Sequence, residues 1–207
     1  MKKQAIKLDS VVTGSLIIEE QDNYFNRLIW AQPDGEIYTY DKHHLFRMAG
    51  EHNHFKAGEE RLIVTYKGWR ICPLICYDLR FPVWSRNTFL NLAERSRCVV
   101  KGEDKSVYDL LIYVANWPQV RKQAWSKLLE ARAIENQCFV VGVNRVGEDG
   151  NGKGYSGNSV VVAPRGEVIS NIIDNTDITE SIELSMEELT DVRKKFPVSL
   201  DGDEFIL

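Results

Sequence analysis

No stretch of this chain is both apolar and long: its apolar runs are of strand length, so no segment is expected to span a membrane. Positive charge is not in excess either. Twenty-six lysines and arginines face 30 aspartates and glutamates, and the net charge of −4 leaves no basic footprint for nucleic acid or another polyanion. Repeats and low-complexity tracts are lacking. The four cysteines (Cys72, Cys76, Cys98, Cys138) fall at no spacing of a disulfide framework or zinc ribbon, which suits a reducing cytoplasm. The start, Met1-Lys2-Lys3-Gln4, has two lysines but no following apolar stretch, so no secretory signal is expected. What is there is ordinary globular composition, 43% apolar and 27% charged over 207 residues, enough for one sizeable core and short for two.

Strand patterns outnumber helical ones. Apolar, β-branched runs predict strands over 13–19, 26–31, 37–41, 62–66 and 69–76, then over 110–115, 138–144, 159–163, 168–173 and 178–184. Pro33-Asp34-Gly35-Glu36 and Pro164-Arg165-Gly166-Glu167 have the residue order of hairpin turns. Residues 122–136 place Trp125, Leu128, Leu129 and Ala133 at helical spacing, and Ser185-x-x-Glu188 opens a second helix over 186–196. Residues 3–8 resemble the tail of a helix, so the sheet starts on half an element. Long connections fall at 42–60 and 87–106.

The most informative segment is Ile75-Cys76-Tyr77-Asp78-Leu79-Arg80-Phe81-Pro82. A cysteine between a buried strand and a helical turn has its sulfur lifted clear of the backbone, beside N–H groups that lower a thiol pKa and can hold an oxyanion. The alternative is a small buried hydrophobe, as most cysteines are. Tyr40-Asp41-Lys42-His43-His44-Leu45-Phe46 ends another strand on a lysine, which by itself reads as a solvated charge.

Together these segments resemble the nitrilase superfamily of carbon–nitrogen hydrolases, and within it the omega-amidase branch that acts on 2-oxo-acid amides. Tyr113-Val114-Ala115-Asn116-Trp117-Pro118, Ala131-Arg132-Ala133-Ile134-Glu135-Asn136-Gln137, Asn144-Arg145-Val146-Gly147 and Tyr155-x-Gly157-x-Ser159 extend the resemblance along nearly the whole chain, in order. It implies an α/β fold, a layered αββα sandwich in one domain over 1–207, and a homodimer paired across a helical face. It implies hydrolysis of a small carboxylate-bearing amide to an acid and ammonia, with no cofactor. By the same resemblance Cys76 is the nucleophile that forms a thioester, and Lys42 with the backbone N–H of Tyr77 stabilises the oxyanion. Glu51, in Gly50-Glu51-His52-Asn53-His54, is the supporting glutamate that positions Lys42.

The resemblance also implies a general-base glutamate in a Pro-Glu motif before the first strand. Glu19, Glu20 and Glu36 do not match it, so the domain is expected to be truncated at its N-terminus by a strand–helix–strand unit of roughly 60–80 residues. Residues 90–106 form an expected insertion. Arg80 and Arg86 are candidates to hold a substrate carboxylate, and Trp117 to line the pocket. His43, His44, His52 and His54 crowd near Glu51, but their spacing is not that of a zinc hydrolase and no metal is expected. Gly150-Asn151-Gly152-Lys153-Gly154 lacks the ending of a phosphate loop and reads as a flexible turn. Two other functions stay open: an inactive fragment or binding module that keeps the pocket, and a cysteine hydrolase pairing Cys76 with His43 or His44.

Overall fold

The computed structural model describes residues 1–89 and 105–203; the expected insertion lies almost wholly outside them, as does Cys98. Two sheets share one core. The first is antiparallel, in the order β1 (Val12–Glu20), β2 (Asn23–Ala31), β3 (Ile37–Asp41). The register runs from Val12 opposite Ala31 to Glu20 opposite Asn23. Alternate residues of β2 and β3 (Leu28, Trp30, Tyr40) face the core. On the other face α1 (Lys2–Leu8) packs against β1 with Ala5 buried.

The second sheet is mixed, in the order β10 (Val160–Val162), β7 (Phe139–Asn144), β6 (Leu110–Ala115), β5 (Trp69–Ile75), β4 (Val64–Tyr66). β5, β6 and β7 are parallel and buried over most of their length, which accounts for their continuous apolar runs. α2 (Lys122–Asn136) crosses between β6 and β7 and lays Trp125, Leu129 and Ala133 on the sheet. The approach is close at Gly142, where a Cβ would lie 2.5 Å from Leu129 Cδ1. With α1 outside one sheet and α2 outside the other, the layering is helix, sheet, sheet, helix.

Both expected turns form. Gly35 (φ 92°) and Gly166 (φ 97°) take the left-handed conformations that the tight reversals require. α3 (Met186–Lys195) opens with Ser185 Oγ accepting from Glu188 N at 3.1 Å. The strands expected over 168–173 and 178–184 do not form. Only the bridge from Val162 to Val168 remains of the first. Beyond it, side chains take over the backbone donors: Ser170 Oγ accepts from Val161 N, and the Glu180 carboxylate from Asn171 N. A hairpin not expected from the sequence, β8 (Val146–Glu148) with β9 (Gly154–Ser156), closes on the 150–154 turn.

Because β5, β6 and β7 are parallel and in register, their carboxyl ends share one edge. Cys76, Asn116 and Asn144 all emerge there, the place where parallel sheets bind ligands.

Candidate active site

Lys42 leaves the end of β3 with both its backbone groups bonded, its N–H to Asn26 O at 2.9 Å and its carbonyl to Gly58 N at 3.1 Å. Its side chain is 2% exposed. A buried ammonium is stable only if paired, and Glu51 supplies the partner. Lys42 Nζ donates to the two Glu51 oxygens at 2.9 and 2.6 Å, and Glu51 Oε2 also accepts from Phe46 N at 2.7 Å. Two short 3-10 turns, Arg47–Ala49 and Glu51–Asn53, bring Glu51 round, joined by Gly50 at φ 74°.

Cys76 follows β5 and starts the 3-10 turn Cys76–Arg80. Its φ of 44° is left-handed, a strained setting for a residue with a Cβ. Asp78 anchors the turn from inside. Fully buried, it accepts from Ile75 N at 3.1 Å, Tyr40 O–H at 2.7 Å and His44 N at 3.0 Å, with His44 Nδ1 at 2.9 Å. One carboxylate thereby ties the cysteine turn to the strand end that carries Lys42.

The Cys76 sulfur, the Lys42 ammonium and Glu51 border one cavity of about 340 Å³, a volume for a small molecule. Phe46, Trp117 and Tyr155 wall it, and Arg80, Arg121 and Lys153 add positive charge. Burial pushes the Cys76 thiol up to about 11; Glu51 and Asp78 add to the rise, and the Lys42 ammonium offsets only part of it. The lowered pKa expected for a cysteine at such a turn is thus reversed, since desolvation outweighs the local field. The sulfur sits 3.9 Å from Asn116 O.

Residues 1–194 match the family model for carbon-nitrogen hydrolase. The chain belongs to the carbon–nitrogen hydrolase family. This hydrolase is 46% identical over its 207 residues to the omega-amidase YafV of Escherichia coli (strain K12), covering 100% of this chain and 74% of that protein. The 2-oxoglutaramate amidase of Bacillus subtilis (strain 168) is 33% identical over 189 residues, 91% of this chain and 66% of the relative. The fold of this chain matches XC1258 from Xanthomonas campestris, a CN-hydrolase superfamily protein solved with an arsenic adduct in the active site. That match has a TM-score of 0.91 and 46% identity, over 100% of this chain and 74% of the other. This carbon–nitrogen hydrolase is therefore an amidase, with the mixed α/β fold of the nitrilase superfamily.

Of the residues singled out in the sequence, Cys76, Lys42, Glu51, Tyr77, Arg80 and Trp117 come together around the cavity. Arg86 does not. Its Nη1 donates to Glu135 O at 2.7 Å, away from the cavity lining, so it is a structural tie and not a substrate ligand of this site. The Cys–His alternative also fails on geometry. His43 stacks on Trp84 at 3.7 Å with its Nδ1 at Gly58 O, and His44 stacks on Phe81 at 3.6 Å; neither lines the cavity. His52 and His54 are exposed. The sequence reading missed Arg121, Lys153 and Tyr155. A signal was present in Tyr155-x-Gly157-x-Ser159, but only the β8–β9 hairpin carries that segment to the cavity.

Proposed function

We propose that this amidase hydrolyses a small amide bearing a carboxylate, of the 2-oxo-acid omega-amide type, through a thioester on Cys76. The observation that carries this is the buried Lys42 ammonium, fixed by both Glu51 oxygens in the cavity that Cys76 borders. The Cys76 thiol gives up its proton as its sulfur adds to the amide carbonyl carbon, and the carbonyl electron pair moves onto oxygen. The Lys42 charge and the Tyr77 N–H stabilise that oxyanion. Collapse breaks the C–N bond; the leaving nitrogen takes up the proton that the thiol released and departs as ammonia. Water then adds to the thioester carbonyl, the C–S bond breaks, and the acid leaves with the sulfur again protonated. Glu51 keeps the ammonium aimed, Arg80 holds the substrate carboxylate, and Trp117 forms the wall beside it. The omega-amidase and 2-oxoglutaramate amidase names of the relatives support this substrate class. The proposal also carries a homodimer, no cofactor, and a cytoplasmic setting.

One observation favours a second reading, a binding module that keeps the pocket without turnover. The resting thiol holds its proton, and Glu51, the one carboxylate lining the cavity among the described residues, is fully engaged by Lys42 and Phe46 N. Ammonia release from 2-oxoglutaramate, measured for the wild type beside Cys76→Ala, separates the two. Release that disappears in the variant supports the thioester route. Release no greater than the variant's, with 2-oxoglutaramate still bound by calorimetry, supports the binding module.

A further inference from the structure

Among the described residues four cationic side chains line the cavity, Lys42, Arg80, Arg121 and Lys153, against the single carboxylate of Glu51. Lys42 is committed to Glu51. The other three enter no ion pair among the described residues. The chain as a whole is acidic, with a net charge of −4, so this cavity is a positive depression in a negative protein and draws anions inward.

The cations are also arranged. Arg80 lies 5.2 Å above the Trp117 ring, and Arg121 5.3 Å above the Phe46 ring with Nη2 3.2 Å from Met48 Sδ. A guanidinium held over a ring still has N–H donors to offer, and it can take a carboxylate with two parallel bonds. Arg121 is the N-cap of α2, whose first turn has no acidic residue and whose start has no side-chain cap, so the helix adds its positive end on the same side. Lys153 reaches this spot from the hairpin. β9 packs on the Gln119–Arg121 turn, so closely that a Cβ on Gly154 would lie 3.3 Å from Gln119 Oε1. Lys153 and Arg121 thus flank a packed contact. Lys42 is buried at the floor beside the sulfur, whereas Lys153 is exposed and Arg121 partly so, at the rim.

We infer that Arg121 and Lys153 form an anion clamp at the cavity rim and set the substrate class. They select amides with a carboxylate at the end remote from the scissile bond and disfavour neutral amides. The clamp rests on the amidase reading of the site and extends it beyond Arg80 to two residues on separate elements. With the amide at Cys76 and the carboxylate at the rim, a cavity of about 340 Å³ holds one short substrate end to end.

The test compares kcat/KM for 2-oxoglutaramate with that for neutral pentanamide in the wild type, Arg121→Gln, Lys153→Gln and the double variant. Lys127→Gln, an exposed lysine on α2 outside the cavity, is the control for loss of one charge. Each clamp variant is expected to lower kcat/KM for 2-oxoglutaramate about 10- to 100-fold, chiefly through KM, and to shrink the anionic-to-neutral ratio. The Lys127 control keeps the ratio. A second readout needs no turnover: the rates at which iodoacetate and iodoacetamide alkylate Cys76, with Cys76→Ala marking label on other cysteines. The clamp predicts that the iodoacetate preference of the wild type falls in both variants while their circular dichroism stays native. Turnover with a ratio unmoved by both substitutions overturns the clamp and leaves the amidase reading standing. A clamp-dependent alkylation preference without turnover of either amide retains the clamp and overturns the amidase reading.

Discussion

Cys76 combines two costs at one residue, a left-handed backbone and a half-buried thiol. A side chain at positive φ costs about 1–2 kcal/mol that glycine does not incur. Cys76→Gly is therefore expected to be about 1 kcal/mol more stable than Cys76→Ala, a Tm about 2–4 °C higher, though both lose turnover; equal melting points would mean that the turn carries no such strain. The thiol gives the second prediction. Its folded pKa of about 11 exceeds its ordinary 9.0, because burial disfavours the thiolate. The folded protein then keeps a proton that the unfolded chain has released, so this contribution to stability is complete below pH 9 and is lost as pH rises toward 11. Urea midpoints measured across that window should fall more steeply for the wild type than for Cys76→Ala.

At the scale of elements, the site depends on how the end of β3 is gripped. Gly58 holds two successive residues there: its N–H donates to Lys42 O, and its carbonyl meets His43 Nδ1 at 2.6 Å. A Cβ there would collide with the backbone carbonyl of Asp41, which cannot yield as a side chain can. Gly58→Ala should therefore displace the strand end, lowering kcat by about 10-fold or more through misplacement of the Lys42 ammonium. Wild-type kcat in this variant would mean that the β3 end adjusts without moving Lys42. The Asp78 carboxylate works from the other side, since its bonds to Ile75 N, Tyr40 O–H and His44 N lock the cysteine turn to the same strand end.

Across the whole molecule, Asp109 joins three elements at the edge of the large sheet opposite the cavity. It lies just before β6, and its carboxylate accepts from Arg70 of β5 at 2.6 and 3.0 Å and from Arg193 of α3 at 2.8 Å. Burial would raise its pKa, but the Arg70 and Arg193 guanidiniums outweigh that and hold it below the ordinary carboxylate range. Its stabilisation is present above the ordinary pKa and is lost as pH falls through the depressed folded value. Asp109→Asn takes the carboxylate charge away from two largely buried guanidiniums and is expected to cost about 3 kcal/mol, a drop in Tm of about 6–12 °C. A Tm within about 2 °C of the wild type would show that the arginines find other acceptors.

Elements whose side-chain period is local were legible in the chain before folding. The strands at Ile37–Asp41 and Leu110–Ala115 and the helix at Lys122–Asn136 fall where their patterns place them, because alternation and helical spacing are properties of neighbouring residues. The turns at Gly35 and Gly166 were legible for the same reason. The motifs also named Cys76, Lys42 and Glu51, which the fold gathers around one cavity. Tertiary structure alone decided the rest. Arg86 and Arg121 are alike in sequence, but the end of a long, flexible side chain goes where packing supplies a partner: the Glu135 carbonyl for one, the Phe46 face for the other. Lys153 joined the cavity only because a hairpin folded over the start of α2. The thiol shifted upward, against the field of its turn, because desolvation depends on everything packed around an atom, and no local segment encodes that.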